Sequence, residues 1–340
     1  MLSRCFFVIR KNDKLTIQTM SNKSKKKQNG PKNQHFVPRC YLSEFTDPNT
    51  PKGYEPYVWV FSKDGKSKKR KAPANIFTEN HLYTIDFNGE KDFSIETNLS
   101  KIEGKFAEVM KVIKNKKPLS AHEHAYLCIF IAAQLQRTLS FKRNQENFIQ
   151  QLIDRGTQIS LVHGVTDSKQ VKEWTEYKKN IHKLQLMEGL PFLSNIIQQM
   201  NIAFLCSPNV KKHPFISSDN PCVLFNPDLQ WQRFYGPGFG QKNVQLTLPL
   251  SPEITVLFSW SNYHGYGQLR GSDVENLNRM SRSHSDKEFI SCSPKKKWIW
   301  FHRLPIDPIF FLKFLTYKCK LVLHDIRLKW KYGKIYGRRQ

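Results

Sequence analysis

The segment from Ser120 to about residue 140 restricts the architecture more than any other. It opens with Ser120-Ala121-His122-Glu123, the spacing of a capping box, where a hydroxyl and a carboxylate satisfy the free amides of a first helical turn. Ala125, Leu127, Cys128, Ile129, Phe130, Ile131, Ala132, Ala133 and Leu135 follow. A helix this apolar around nearly its whole circumference has no face for water, so it must be central. Gln134 and Arg137, one turn apart near its end, are polar exceptions that need partners inside the fold.

The flanking patterns say what covers it. Leu99, Ile102, Phe106, Val109 and Ile113 form one stripe of a helix over 96–114, with Glu96 and Glu103 on a shoulder of that stripe at the core boundary. Helical patterns continue through 145–163, 168–187 and 190–200, with Pro191 at a first helical position. Strands are expected at 57–61, 81–85, 202–206, 214–217, 222–225, 244–248, 254–260 and 289–292. Asp64-Gly65 and Asn88-Gly89 mark turns, and Lys66 to Lys71 reads as a solvated loop. Ser272-Asp273-Val274-Glu275 has the spacing of a second capping box, opening a helix to about 284. The fold class is α+β, a helical middle packed on a mainly antiparallel sheet.

Charge divides the chain. Of a net +26, residues 1–32 hold nine Lys/Arg against one acid, and 295–340 hold thirteen against two. We expect a disordered basic leader over 1–32, a single α+β domain over 33–294 and a basic aromatic extension over 295–340. Such ends attract phosphate backbones and other anionic surfaces, although basic tails also serve solubility alone. Seven scattered cysteines with no CxxC pair argue against a disulfide framework and a zinc site. No run approaches the ~18 apolar residues of a spanning helix, so the expected location is cytoplasmic.

Two stretches carry candidate chemistry. Asn33 to Phe45 places a His, an Arg, a Glu and large apolar residues around Pro38. Proline disfavours helix at Val37 and suits N1 of a short helix bearing Tyr41, Leu42 and Phe45, with His35 just upstream. Pro214 to Pro221 ends a strand in Ser217-Ser218-Asp219-Asn220, a corner suited to hydrogen bonding or metal binding, or to an Asx-turn. Nucleotide-binding, zinc-protease, hydrolase-elbow and deaminase motifs are missing. Glu103-Gly104-Lys105 spells a nuclease-like ExK, but on a helix rather than a strand.

Gln34-His35-xx-Pro38-xx-Tyr41-Leu42-xx-Phe45 resembles the N-terminal signature of a bacterial family, domain of unknown function 4238. Asn80 to Tyr83, Ile102-Glu103-Gly104, Gln134-xx-Arg137, Phe215 to Pro221, Leu248 to Pro252 and Leu277-Asn278 are similar to its other landmarks and come in the same order. The resemblance spans about 33 to 292 and implies no assigned activity. It maps motif positions to His35, Tyr41, Glu103, Gln134, Arg137, Asp219, Asn220 and Asn278. Leu139 departs from it, standing where a proline is expected, and Cys40 and Cys222 replace more usual aliphatic or aromatic residues.

One His, two acids and one Arg (His35, Glu103, Asp219, Arg137), with Gln134, Ser218, Asn220 and Asn278 as ligand-binding groups, are expected to converge. A His and two carboxylates suit Mg²⁺ or Mn²⁺ with Arg137 on a phosphate, the layout of a metal-dependent nucleic-acid hydrolase, a nuclease with a defence or toxin-like role. The alternative is a non-enzymatic nucleic-acid or protein binding module in which the polar set is structural and the basic termini dock on nucleic acid. A weaker third reading is a small-molecule or nucleotide sensor with a pocket below Asp219.

Overall fold

A computed structural model describes residues 30–87, 90–162, 169–229 and 236–302. The leader up to residue 29, the Asn88-Gly89 turn and the extension beyond 302 lie outside the described residues.

The chain enters through β1 (Asn33–His35), α1 (Arg39–Leu42) and a 3-10 turn at Ser43–Phe45, then β2 (Val58–Ser62), β3 (Lys68–Lys71), β4 (Thr78–Asn80), β5 (Ile85–Phe87) and β6 (Glu90–Asp92). The helical middle is α2 (Ser94–Lys114), α3 (Ala121–Gln136), α4 (Leu139–Val162) and α5 (Lys169–Gln199). The last part is β7 (Asn201–Cys206), β8 (Ser217–Ser218), β9 (Val223–Phe225), β10 (Gln245–Pro249), β11 (Ile254–Ser259), β12 (Gly265–Gln268), α6 (Gly271–His284), β13 (Glu288–Ser291) and a 3-10 turn at Trp298–Trp300.

The strands form a five-stranded sheet, β12-β7-β11-β10-β9, and a four-stranded sheet, β3-β2-β13-β8, with the ribbons β1-β4 and β5-β6. Every pairing is antiparallel except β12 with β7. The protein is therefore α+β, as the patterns require.

The apolar helix is central. Both halves of the Ser120–Glu123 capping box form, and α3 packs against α2 and α5. Phe106 of α2 stacks on Phe130 of α3 with centroids 3.6 Å apart and planes 7° apart. One continuous core runs from this pair through Leu246 and Leu248 of β10 to Val256 and Phe258 of β11. A smaller cluster joins Phe61, Ile216, Phe289 and Trp300, so packing continues past Pro294. Gly65 makes that closure possible: its φ is +71°, and a Cβ there would meet the Phe301 ring at 2.5 Å.

Several local expectations are corrected by tertiary pairing. Lys66 to Lys71 is not a loop throughout, because Lys68–Lys71 pairs with Val58–Phe61 as an edge strand. The strand expected at 81–85 is broken at His81, whose φ is +52°, and Gln34 takes the Tyr83 amide instead (2.6 Å). Of 214–217 only Ser217 pairs in a sheet, together with Ser218 beyond the expected end. Pro38 is the cap residue of α1 rather than its first helical residue. Pro191 lies inside one long α5. Leu186 and Ile197 on either side are buried in the core, and that packing offsets the backbone bond the proline forgoes. Ser272 does not cap α6; the N-cap position falls on Arg270, with no side-chain capping bond, and Glu275 turns inward. The described cysteines, Cys40, Cys128, Cys206, Cys222 and Cys292, are free thiols. Among the described residues no helix is long and apolar enough to cross a membrane.

His182 of α5 ties the helical layer to pH. Its Nε2–H donates to the Gln136 carbonyl (3.0 Å), while Nδ1 is buried without a partner. Burial lowers its pKa to about 4, against 6.5 for a free imidazole. The unfolded chain takes up this proton near pH 6.5 and the folded chain only near pH 4. Stability present above pH 6.5 is thus lost as pH falls through that window, by on the order of 3 kcal/mol. Urea unfolding at pH 7 and pH 4.5 should show a smaller acid loss for His182→Gln than for wild type; equal losses would remove His182 as the cause.

Candidate functional site

The end of α3 delivers Arg137 into the interior. Arg137 is the cap residue, its side chain is 2% exposed, and the guanidinium lies 5.7 Å from the Tyr83 ring centre. Its Nη1 pairs with Glu103 Oε1 at 2.8 Å, its Nη2 donates to the His35 carbonyl at 2.5 Å, and its Nε donates to the Tyr83 hydroxyl at 3.4 Å. That hydroxyl donates back to the Arg137 carbonyl at 3.1 Å. Burial opposes the Arg137 charge, but Tyr83 and Glu103 outweigh it and raise the pKa. Burial pushes Tyr83 up to about 12. Glu96 stands nearby, its pKa raised by burial and its Oε2 without a partner.

His35 meets this network through its backbone. Its ring Nε2 donates to the Pro73 carbonyl at 3.2 Å, and burial lowers its pKa, which favours a neutral ring. Gln134 is fully buried and donates to the Phe36 carbonyl at 3.2 Å. Thr138 and Leu139 explain the departure from the family pattern. The Phe141 amide donates to Thr138 Oγ1 (3.2 Å), capping α4, and Leu139 is its first residue, a position that accepts leucine or proline alike.

The second group gathers at β8. Asp219 Oδ1 accepts the Asp286 amide (2.7 Å), and Oδ2 accepts the amides of Lys287 (2.6 Å) and Glu288 (2.9 Å). Burial raises the Asp219 pKa, and the three amides act against that rise. Ser218 Oγ accepts the Asn220 amide (3.2 Å), and Asn220 Nδ2 donates to the His284 carbonyl (3.2 Å). Asn278 is fully buried and clamps the chain before β8: its Oδ1 accepts the Ile216 amide (3.0 Å), and its Nδ2 donates to the Pro214 carbonyl (2.8 Å).

The structure thus brings Glu103, Arg137, the His35 backbone and Tyr83 together, and Ser218, Asp219, Asn220 and Asn278 separately. Among the described residues no hydrogen bond or ion pair joins Asp219 to His35, Glu103 or Arg137, and no three His, Cys, Asp or Glu side chains are placed to hold a metal ion. A pocket of about 180 Å³ lies between the groups, lined by Phe36, Phe77, Leu139, Ser140, Asp219 and Asp286 among others. Tyr41 links the two regions more firmly. Its buried hydroxyl donates to the Pro249 carbonyl (2.6 Å) and accepts from Ser217 Oγ (2.6 Å).

Sequence reasoning missed a surface feature. Lys68, Lys69, Arg70 and Lys71 of edge strand β3 are all exposed. Lys68 Nζ lies 5.1 Å from the Trp59 ring centre, and the Arg70 guanidinium lies 5.4 Å from Tyr57 and 5.7 Å from Trp59. Trp59 is fixed by its Nε1 bond to Asp47 Oδ2 (2.7 Å). Among the described residues, Lys69 alone of the four cations is ion-paired, with Glu288 at 2.9 Å. Lys68 also reaches the Pro294 carbonyl (3.4 Å), next to Lys295, Lys296 and Lys297. The signal was the Asp64-Gly65 turn joining this run to the aromatic strand before it.

The clamps predict costs in stability. Arg137→Leu strands Glu103 and several buried acceptors and should cost about 3–5 kcal/mol in urea unfolding at pH 7. Asp219→Ala, which frees three amides, should cost about 2–4 kcal/mol. A cost below about 1 kcal/mol at either position would contradict a structural role.

No curated protein and no solved structure shows a significant match to the chain. A family model described as "Protein of unknown function (DUF4238)" matches residues 33–296. That span starts at β1 and takes in all the buried clamps described above, and the chain belongs to the DUF4238 family.

Proposed function

We propose that the protein is a nucleic-acid-binding module whose buried polar set is scaffold. The observation that carries this reading is β3, an exposed edge strand of four consecutive cations, of which Lys68 and Arg70 lie beside Trp59 and Tyr57 and, among the described residues, three have no acidic partner. Phosphate contacts from such a strand supply affinity without sequence readout, and aromatic rings beside them suit single strands. The net charge of +26 adds long-range attraction for a polyanion. The hydrolase reading needs His35, Glu103 and Asp219 on one metal-bound substrate. Glu103 is engaged by Arg137 and Asp219 by three amides, so the geometry favours the binding module.

Anisotropy titrations of labelled single-stranded RNA and DNA over a salt series test it. Replacing Lys68, Lys69, Arg70 and Lys71 together by Ala should weaken binding at least ~10-fold and reduce the slope of log K against log salt by about 2 to 3. A folded variant that keeps wild-type affinity and slope would sink the proposal.

A further inference from the structure

We propose that Arg279 and Arg282 of α6, with Lys296 and Lys63 beside them, form a binding site for a phosphate group. The two arginines lie one helical turn apart, and among the described residues neither forms an ion pair. Arg279 makes no hydrogen bond there, and its Nη1 is buried without a partner. Arg282 Nη1 donates to the Lys63 carbonyl (3.1 Å) and Nη2 to Ser283 Oγ (3.2 Å), while Nε is buried without a partner. Burial lowers the pKa of both, and the charge of Arg279 lowers that of Arg282 further.

The surroundings add positive charge. Arg282 and Lys296 both lie against the Phe301 ring, at 5.0 and 5.8 Å from its centre. Lys296 Nζ donates to the Gly65 carbonyl (2.7 Å), and Lys63 Nζ to the Ser285 carbonyl (2.5 Å). Among the described residues these four cations thus meet only neutral partners. The nearby acids are already engaged: Asp64 with Ser62 and Lys66, Asp286 with Arg143, and Glu275 with His213 and Lys297.

Two half-buried guanidinium groups held side by side repel unless an anion enters between them. A phosphate group answers the geometry better than a carboxylate, because it offers several oxygens to two forks and can carry two charges. The Phe301 ring restrains the Arg282 plane, so less freedom is lost on binding. The phosphate can come from free solute or from a nucleic-acid backbone. Lys296 on Gly65 and Lys68 on Pro294 connect the site to the β2–β3 hairpin. The inference stands without the nucleic-acid reading, because the uncompensated pair is its basis.

Thermal unfolding of the full chain in inorganic phosphate and in chloride of equal ionic strength tests the site. Phosphate at saturation should raise the wild-type Tm by about 5 °C. Arg279→Met should lose that increment and melt in chloride no lower than wild type, since one of two repelling charges is gone. Arg282→Lys keeps the charge but loses the fork, and should keep less than half of the increment. No phosphate-dependent shift in wild type, or an undiminished shift in both variants, would overturn the site. A parallel titration with a labelled oligonucleotide distinguishes the sources. Weaker binding by Arg279→Met, with competition by inorganic phosphate, assigns the site to a phosphodiester; unchanged oligonucleotide binding with loss of the Tm increment assigns it to free phosphate. Failure of the β3 reading would leave the phosphate-dependent Tm shift in place.

Discussion

A guanidinium enclosed at the end of the central helix is the constraint on which the helical layer depends. Arg137 cannot shed its charge, and its burial is tolerable only with a carboxylate and several acceptors around it. Glu103 supplies the charge from α2, the His35 carbonyl supplies an acceptor from β1, and Tyr83 supplies both a hydroxyl and a ring. Each partner comes from a different segment. The ion pair therefore fixes the angle of α3 to α2 and the entry of the chain into the fold, tasks that apolar contacts perform with less directional precision.

Other motif residues work in the same way at other junctions. Tyr41 joins α1 to β8 and β10 through one hydroxyl. Asp219 ties the turn before β13 to β8, and Asn278 fastens α6 to the segment Pro214–Ile216 that leads into β8. Gln34 bonds the Tyr83 amide and Thr84 Oγ1, holding the 81–84 turn against β1. The family signature thus reads physically as a set of clamps between the helices and the two sheets. Glu275 is a further clamp, carrying Lys297, His213 and Trp300 Nε1 and securing the end of the described chain.

The surface follows a different logic. At the buried clamps, charge is compensated: Arg137 has Glu103, and Asp219 has three backbone amides. Around the β2–β3 hairpin and the end of α6, cations outnumber acids and lie against Tyr57, Trp59 and Phe301. Aromatic faces hold such cations in place while leaving their charge unneutralised, which is what an anionic partner requires.

The sequence by itself determined the elements whose pattern lies within a few turns. The stripe of α2, the all-apolar α3 with its Ser120–Glu123 cap, and the strands β10 and β11 follow from periodicity and capping, which depend on neighbours in the chain. It also placed Glu103 at the core boundary and showed that Arg137 needed a partner there. The tertiary structure decided the rest. Lys68 to Lys71 has no burial pattern and is a strand only because Val58 to Phe61 pairs with it. Glu275 fits a capping box, yet Lys297 and Trp300, more than twenty residues away, draw it inward. Asp219 suits a metal corner or an amide clamp equally until the turn at 286–288 folds onto it. A polar side chain's role is set by the groups that desolvate and satisfy it, and here those groups come from distant parts of the chain.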